Sequence, residues 1–236
     1  MDIGSSIFWL ALAEIIWVNI LLSGDNAVVI ALAARSLPAG QQKRAIVIGS
    51  GAAIGMRIVL TLVAAQMLTL PWLKLVGAIL LVYIGVSLLL QDDESEAPGK
   101  TASGMLAAIR TILIADLVMS LDNVIAVAAA AKDNTVLLIT GLAISIPLVI
   151  FGSTLLLKVI ERFPVLVWLG AALLGFIAGE LLVEDPALTM QVGSLEATIH
   201  LSHHNMALIC GIAGALLVVA IGKGLNLRQQ RAQQAA

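Results

Sequence analysis

Charge is scarce in this chain. Only 12% of its 236 residues are Asp, Glu, Lys or Arg, about half of the roughly 25% usual in a soluble domain. Hydrophobic residues reach 60%, more apolar surface than a water-soluble fold of this size can hide, so membrane spans are the default reading. Cysteine is nearly absent. Cys210, inside an apolar run, is the only one, which excludes an internal disulfide framework and a Cys-based metal cluster. No basic, aromatic-interleaved patch occurs, and the net charge is −2; both argue against a nucleic-acid partner. The N-terminus, MDIGSSIFWLALAEIIW, lacks a basic leader and carries Asp2 and Glu14 instead, so the first apolar segment is expected to stay in the mature protein.

What is present is a series of long apolar runs. Hydropathy predicts an all-α polytopic membrane protein with spans at 7–34, 45–68, 71–90, 105–131, 135–157, 164–183 and 205–222. Ser36-Leu37-Pro38-Ala39-Gly40 separates the first two, and Pro71 and Pro164 open the third and sixth. Segment 91–104 is polar and acidic and reads as a cytoplasmic loop; segment 184–204, with His200, His203 and His204 at or next to its end, reads as an extracytoplasmic one. With the N-terminus outside and the C-terminus (205–236: last span and basic tail) inside, ten of the thirteen basic residues fall on the cytoplasmic side. That matches the positive-inside bias and predicts multi-pass insertion in a plasma membrane.

The chain also repeats itself. NILLSGDNAVVIALAA at 19–34 matches DLVMSLDNVIAVAAAA at 116–131 at a constant offset of 97, pairing Ser23 with Ser120, Asp25 with Asp122, Asn26 with Asn123 and Asn19 with Asp116. Pro71, Gly77 and Ala78 recur as Pro164, Gly170 and Ala171. Residues 1–90 and 105–183 therefore read as two three-span repeats, followed by one extra helix. Because each copy has an odd number of spans, the second enters the membrane inverted, an arrangement that in transporters places the substrate at the midplane between copies.

Asp25 and Asp122 stand well inside apolar spans, where a carboxylate facing lipid costs at least about 2.5–3.5 kcal/mol, so a polar interior is expected around them. The spans holding them are longer than a bilayer core requires, and the helix-indifferent residues of Ser23-Gly24-Asp25-Asn26 suit a point of unwinding. On an unbroken helix Asp116, Ser120 and Asn123 line one face and Asp122 points about 120° away; a local break would let Asp122 join them. The carboxylate, amide and hydroxyl oxygens of Asp25, Asn26, Asp116, Asp122 and Asn123, with Asn19, Ser23 and Ser120 behind them, suit a hard divalent cation. The plainer alternative is that the Asp-Asn pairs only join helices, which an amide or hydroxyl does at lower desolvation cost. Arg57, in the second span, needs an acidic partner among Asp25, Asp116 and Asp122 if it is buried, and either a structural ion pair or a substrate contact fits it. Glu14 is a candidate proton-linked group. The three histidines resemble a metal-capture cluster, though such groups are more often plain solvated loops.

The strings LLSGDNAVVIALAA and ADLVMSLDNVIAVAAAA resemble the signature motifs of the TerC family of bacterial integral membrane proteins, and the likeness runs through the acidic loop to the last span. The resemblance implies the LysE-like transporter superfamily and manganese efflux, with Asp25, Asn26, Asp116, Asp122 and Asn123 as the transport site. Where some family members carry an acidic residue early in the first motif, this chain carries Asn19. The expected activity is secondary export of a divalent metal, Mn²⁺ foremost, as the two three-span repeats rock about the midplane. No prosthetic group and no enzymatic activity are expected, and membrane lipid and the transported cation are the expected partners. Export of amino acids or other small solutes is the alternative within transport, and a membrane-embedded metal-dependent enzyme the alternative outside it.

Overall fold

The computed structural model describes residues 6–67, 70–90, 101–131 and 134–234. Every regular element among them is a helix: α1 (Ser6–Leu21), α2 (Gly24–Arg35), α3 (Ala39–Met67), α4 (Leu73–Leu90), α5 (Thr101–Ala131), α6 (Thr135–Arg162), α7 (Val165–Val183), α8 (Thr189–Ile199) and α9 (His203–Gln234). Backbone polar groups have no water to bond to in a bilayer, and a helix satisfies its own. Six helices, α3 to α7 and α9, are long and apolar enough to cross a membrane alone, and α1 with α2 supplies a seventh span if the pair crosses as one. The expected all-α, polytopic architecture holds. Large apolar side chains cover the outside; Tyr83 and Phe151 are each 70% exposed, an arrangement that favours lipid over water as the surrounding medium. Most of the acidic segment, residues 91–100, lies outside the described residues, and Thr101 to Gly104 already belong to α5.

The first expected span is interrupted where its sequence is weakest. Helix α1 ends at Leu21, Leu22 and Ser23 form a turn, and α2 starts at Gly24 with a bend of 50°. Helix α5 runs through the matching motif without a break. Leu121, a good helix former, is buried at the position where the first copy has Gly24, and this accounts for the difference. At about 46 Å, α5 (31 residues) is longer than the ~30 Å hydrocarbon core.

The chain divides into two compact units that cut across the repeats. One holds α1, α2, α3, α5 and α6, the first two spans of each copy. Within it α3 packs along α5, and α1 and α2 both pack on α6. Phe8, Leu12 and Ile15 of α1 share a core with Ile54 of α3, Val127 of α5 and Leu137 and Leu142 of α6. Helices of the two copies thus interleave around one core.

The other unit holds α4, α7, α8 and α9. Gly175 and Gly179 of α7, spaced as GxxxG, face the backbone of Cys210 and Gly214 on α9 so closely that a Cβ at either would overlap a main-chain carbonyl. Between α7 and α8 the buried Asp185 carboxylate reaches the start of α4, accepting from the N–H of Trp72 (3.0 Å) and Leu75 (2.9 Å) while also accepting from its own neighbour Ala187 (2.7 Å). It caps a helix distant in sequence, satisfying donors that the first turn of α4 leaves without intrahelical partners. It also fixes Trp72, whose φ of 69° lies in the left-handed region. Burial by itself raises the Asp185 carboxyl, but the N–H groups of Leu75, Ala187, Trp72 and Lys74 outweigh it and hold the group below the usual carboxylate range. Segment 184–204, expected as a loop, contains α8, which buries none of its residues.

Candidate cation site

Four polar residues of the two motifs meet in the first unit, around Arg57. This side chain is only 2% exposed, and a guanidinium so buried must spend its N–H groups on protein acceptors. Its Nη2 pairs with Asp116 Oδ1 at 2.5 Å and its Nε donates to Ser120 Oγ at 3.0 Å. Its Nη1 donates to Asn19 Oδ1 at 2.8 Å and Ser23 Oγ at 3.3 Å. Asn19 and Ser23 from the first copy, Asp116 and Ser120 from the second, occupy matching positions at the offset of 97. Each pair is also joined within its copy, Ser23 Oγ to Asn19 Oδ1 (3.4 Å) and Ser120 Oγ to Asp116 Oδ2 (3.3 Å). One arginine on α3 therefore serves both copies. At its own matching position α6 carries Thr154, whose hydroxyl turns back to the Ile150 carbonyl.

The helix break supplies the second part of the site. Ser23 stands in the turn, and Asp25 and Asn26 in the first turn of α2. The Leu22 carbonyl accepts from two amides, Asn26 Nδ2 (3.4 Å) and, across from α5, Asn123 Nδ2 (3.2 Å). Asp25 is half-buried, its Oδ1 accepts the Asn26 N–H at 2.7 Å, and it lies within electrostatic range of both Arg57 and Asp116. Asn26 is buried, yet its Oδ1 has no hydrogen-bond partner; the same is true of Asn19 Nδ2. A buried amide oxygen without a donor beside a carboxylate is a place where a cation gains and a neutral protein loses.

The family profile described as Integral membrane protein TerC family matches residues 4–231. The chain belongs to the TerC family. Among curated relatives, this TerC-family chain is 41% identical over 192 residues to the uncharacterized membrane protein YjbE of Bacillus subtilis, covering 80% of this chain and 88% of that one. It is 26% identical to the uncharacterized membrane protein YceF of the same organism, over 95% of this chain and 87% of that one. With the UPF0053 inner membrane protein YgdQ of Escherichia coli it shares 25% identity, over 75% and 81% of the two chains. No solved structure matches it. It is an integral membrane protein, as its helices and its family both state.

Set beside the residues predicted for a TerC-type site, the structure joins Asn19, Ser23, Arg57, Asp116 and Ser120 in one network and brings Asn26 and Asn123 onto a common carbonyl. Asp25 lies at the edge of that network. Asp116, Ser120 and Asn123 use one face of an unbroken α5, as their spacing predicts. The backbone of Asp122 continues α5, and its side chain lies outside the described ones. Glu14 is exposed on α1 and takes no part in the network's hydrogen bonds. Among the described residues no three His, Cys, Asp or Glu side chains are grouped to hold a metal ion. The histidines do not cluster either: His203 Nδ1 lies 2.7 Å from Glu196 Oε1, and His200 caps α8 with φ 53°. The Leu22 carbonyl was not legible as part of the site, because a main-chain acceptor has no sequence signal beyond the weak helix around it.

Proposed function

We propose that this TerC-family protein is a secondary transporter that exports a divalent metal cation, Mn²⁺ foremost, from the bacterial cytoplasm, with the N-terminus outside and the C-terminus inside. The observation that carries the reading is the unpartnered Oδ1 of buried Asn26 beside Asp25, at a break in an otherwise membrane-spanning helix. Broken spans in transporters expose main-chain and side-chain oxygens to cations at mid-membrane depth, where no water competes. Asp25 and Asp122 supply charge, Asn26 and Asn123 supply neutral oxygen, and the two repeats, taken as inverted copies, bring equivalent groups to the ion from both sides.

The test is Mn²⁺ efflux from loaded proteoliposomes. Asp25→Asn and Asp122→Asn keep volume and one oxygen while removing charge, so each should abolish efflux at unchanged expression. Full efflux by the double variant would refute the site. A wild-type protein that moves no divalent metal would refute the function.

A further inference from the structure

Arg57 is the feature that a cation-export reading leaves unexplained, since a fixed positive charge beside a cation site repels what the site should bind. We infer that Arg57 is a tethered counter-cation: its guanidinium occupies the Asp116 end of the site while no metal is bound, and a divalent ion reaches Asp116 only by displacing it. The inference rests on the export reading and specifies how that site is kept when empty.

Three observations support it. The guanidinium is held by Asn19 Oδ1, Ser23 Oγ, Ser120 Oγ and Asp116 Oδ1, an all-oxygen set of the kind a hard divalent ion takes. Guanidinium and metal therefore call on the same lone pairs. The acceptors come from α1, the turn after it and α5, so one side chain on α3 reports on the positions of all three. Lastly, Asp116 is 5% exposed and Arg57 2%. A carboxylate buried that far without a partner is strongly unfavourable, and Arg57 removes that penalty from the empty carrier. An ordinary structural ion pair needs one carboxylate; this arginine instead gathers matched residues of both repeats, which is what a stand-in for a shared ion must do.

The experiment is equilibrium Mn²⁺ binding to purified protein in nanodiscs, read by the electron paramagnetic resonance of the free ion. Arg57→Gln removes the competing charge and keeps an amide at the site; it should bind Mn²⁺ roughly tenfold tighter or more, the equivalent of about 1.4 kcal/mol, and release it more slowly in efflux. Arg57→Gln combined with Asp116→Asn should return affinity close to the wild-type value. Affinity in folded Arg57→Gln equal to or weaker than wild type overturns the counter-cation while leaving the export site standing. No Mn²⁺ binding by the wild type removes both. Should Arg57→Gln not fold, the wild type decides the matter. In protein labelled with ¹⁵N-arginine, the Arg57 Nε–H resonance, assigned by its displacement in Asp116→Asn, should be protected from solvent exchange in the metal-free protein and lose that protection when Cd²⁺, a diamagnetic stand-in for Mn²⁺, binds. Protection that persists at saturating Cd²⁺ overturns the inference.

Discussion

Replacing Asp185 with asparagine isolates one carboxylate's contribution to the second unit. In the wild type Oδ1 accepts from Trp72 and Ala187 and Oδ2 from Leu75. An asparagine oxygen can keep the first two, but its NH₂ then faces the Leu75 N–H, donor against donor. One buried donor left unsatisfied costs about 1–3 kcal/mol, and losing a negative charge at a helix N-terminus costs about 0.3–1 kcal/mol more. The sum, about 1.3–4 kcal/mol, corresponds to an apparent Tm lower by roughly 3–16 °C for a chain of this size. The loss should depend on pH in a defined direction. Since the folded carboxyl lies below its ordinary value, its contribution is complete above the unfolded pKa near ~3.9 and disappears as pH falls through the folded value. The gap in Tm between wild type and Asp185→Asn, measured in detergent by circular dichroism, should thus be widest at neutral pH and close under acid. A gap that is absent at pH 7, or that stays constant into acid, would falsify the capping role.

Gly179→Val should destabilise the same unit by about 1–3 kcal/mol or prevent its folding, because the new side chain overlaps the Cys210 main chain of α9; fluorescence-detected size exclusion reads the loss, and a monodisperse variant of wild-type Tm would contradict the close crossing. Asn123→Ala removes the bond across to Leu22 O, which should lower stability by about 0.5–1.5 kcal/mol and reduce Mn²⁺ efflux; unchanged efflux would mean that the Asn123 amide does not hold the break. Single cysteines placed near Asp93 and near Glu196, in a Cys210→Ser background, should react with an impermeant maleimide from opposite sides of the membrane; labelling from the same side would sink the proposed orientation.

Six of the seven expected spans were legible in the sequence as single apolar helices, because hydropathy acts on every residue of a helix alike. The break at Leu22 and Ser23 was legible too, from Gly24 beside two poor helix formers, and the continuity of α5 follows from Leu121 by the same reasoning. Which acid would pair with Arg57 was not. Asp25, Asp116 and Asp122 were equal candidates, and the choice depends on how α3 and α5 are rotated against each other, which their packing decides. The cap that Asp185 places on α4 joins residues 110 positions apart, so no local pattern announces it. Nor did the grouping of helices follow from the repeat, since similarity between copies says which segments are related and not which ones pack together.

The lone arginine between matched residues bears on ancestry. Two identical halves would each carry an arginine at this position of the repeat. Joining the halves in one gene lets Thr154 stand where Arg57 has its counterpart and lets Asp116 differ from Asn19. With Asn19 on one side of Arg57 and Asp116 on the other, the two ends of this centre are chemically unequal.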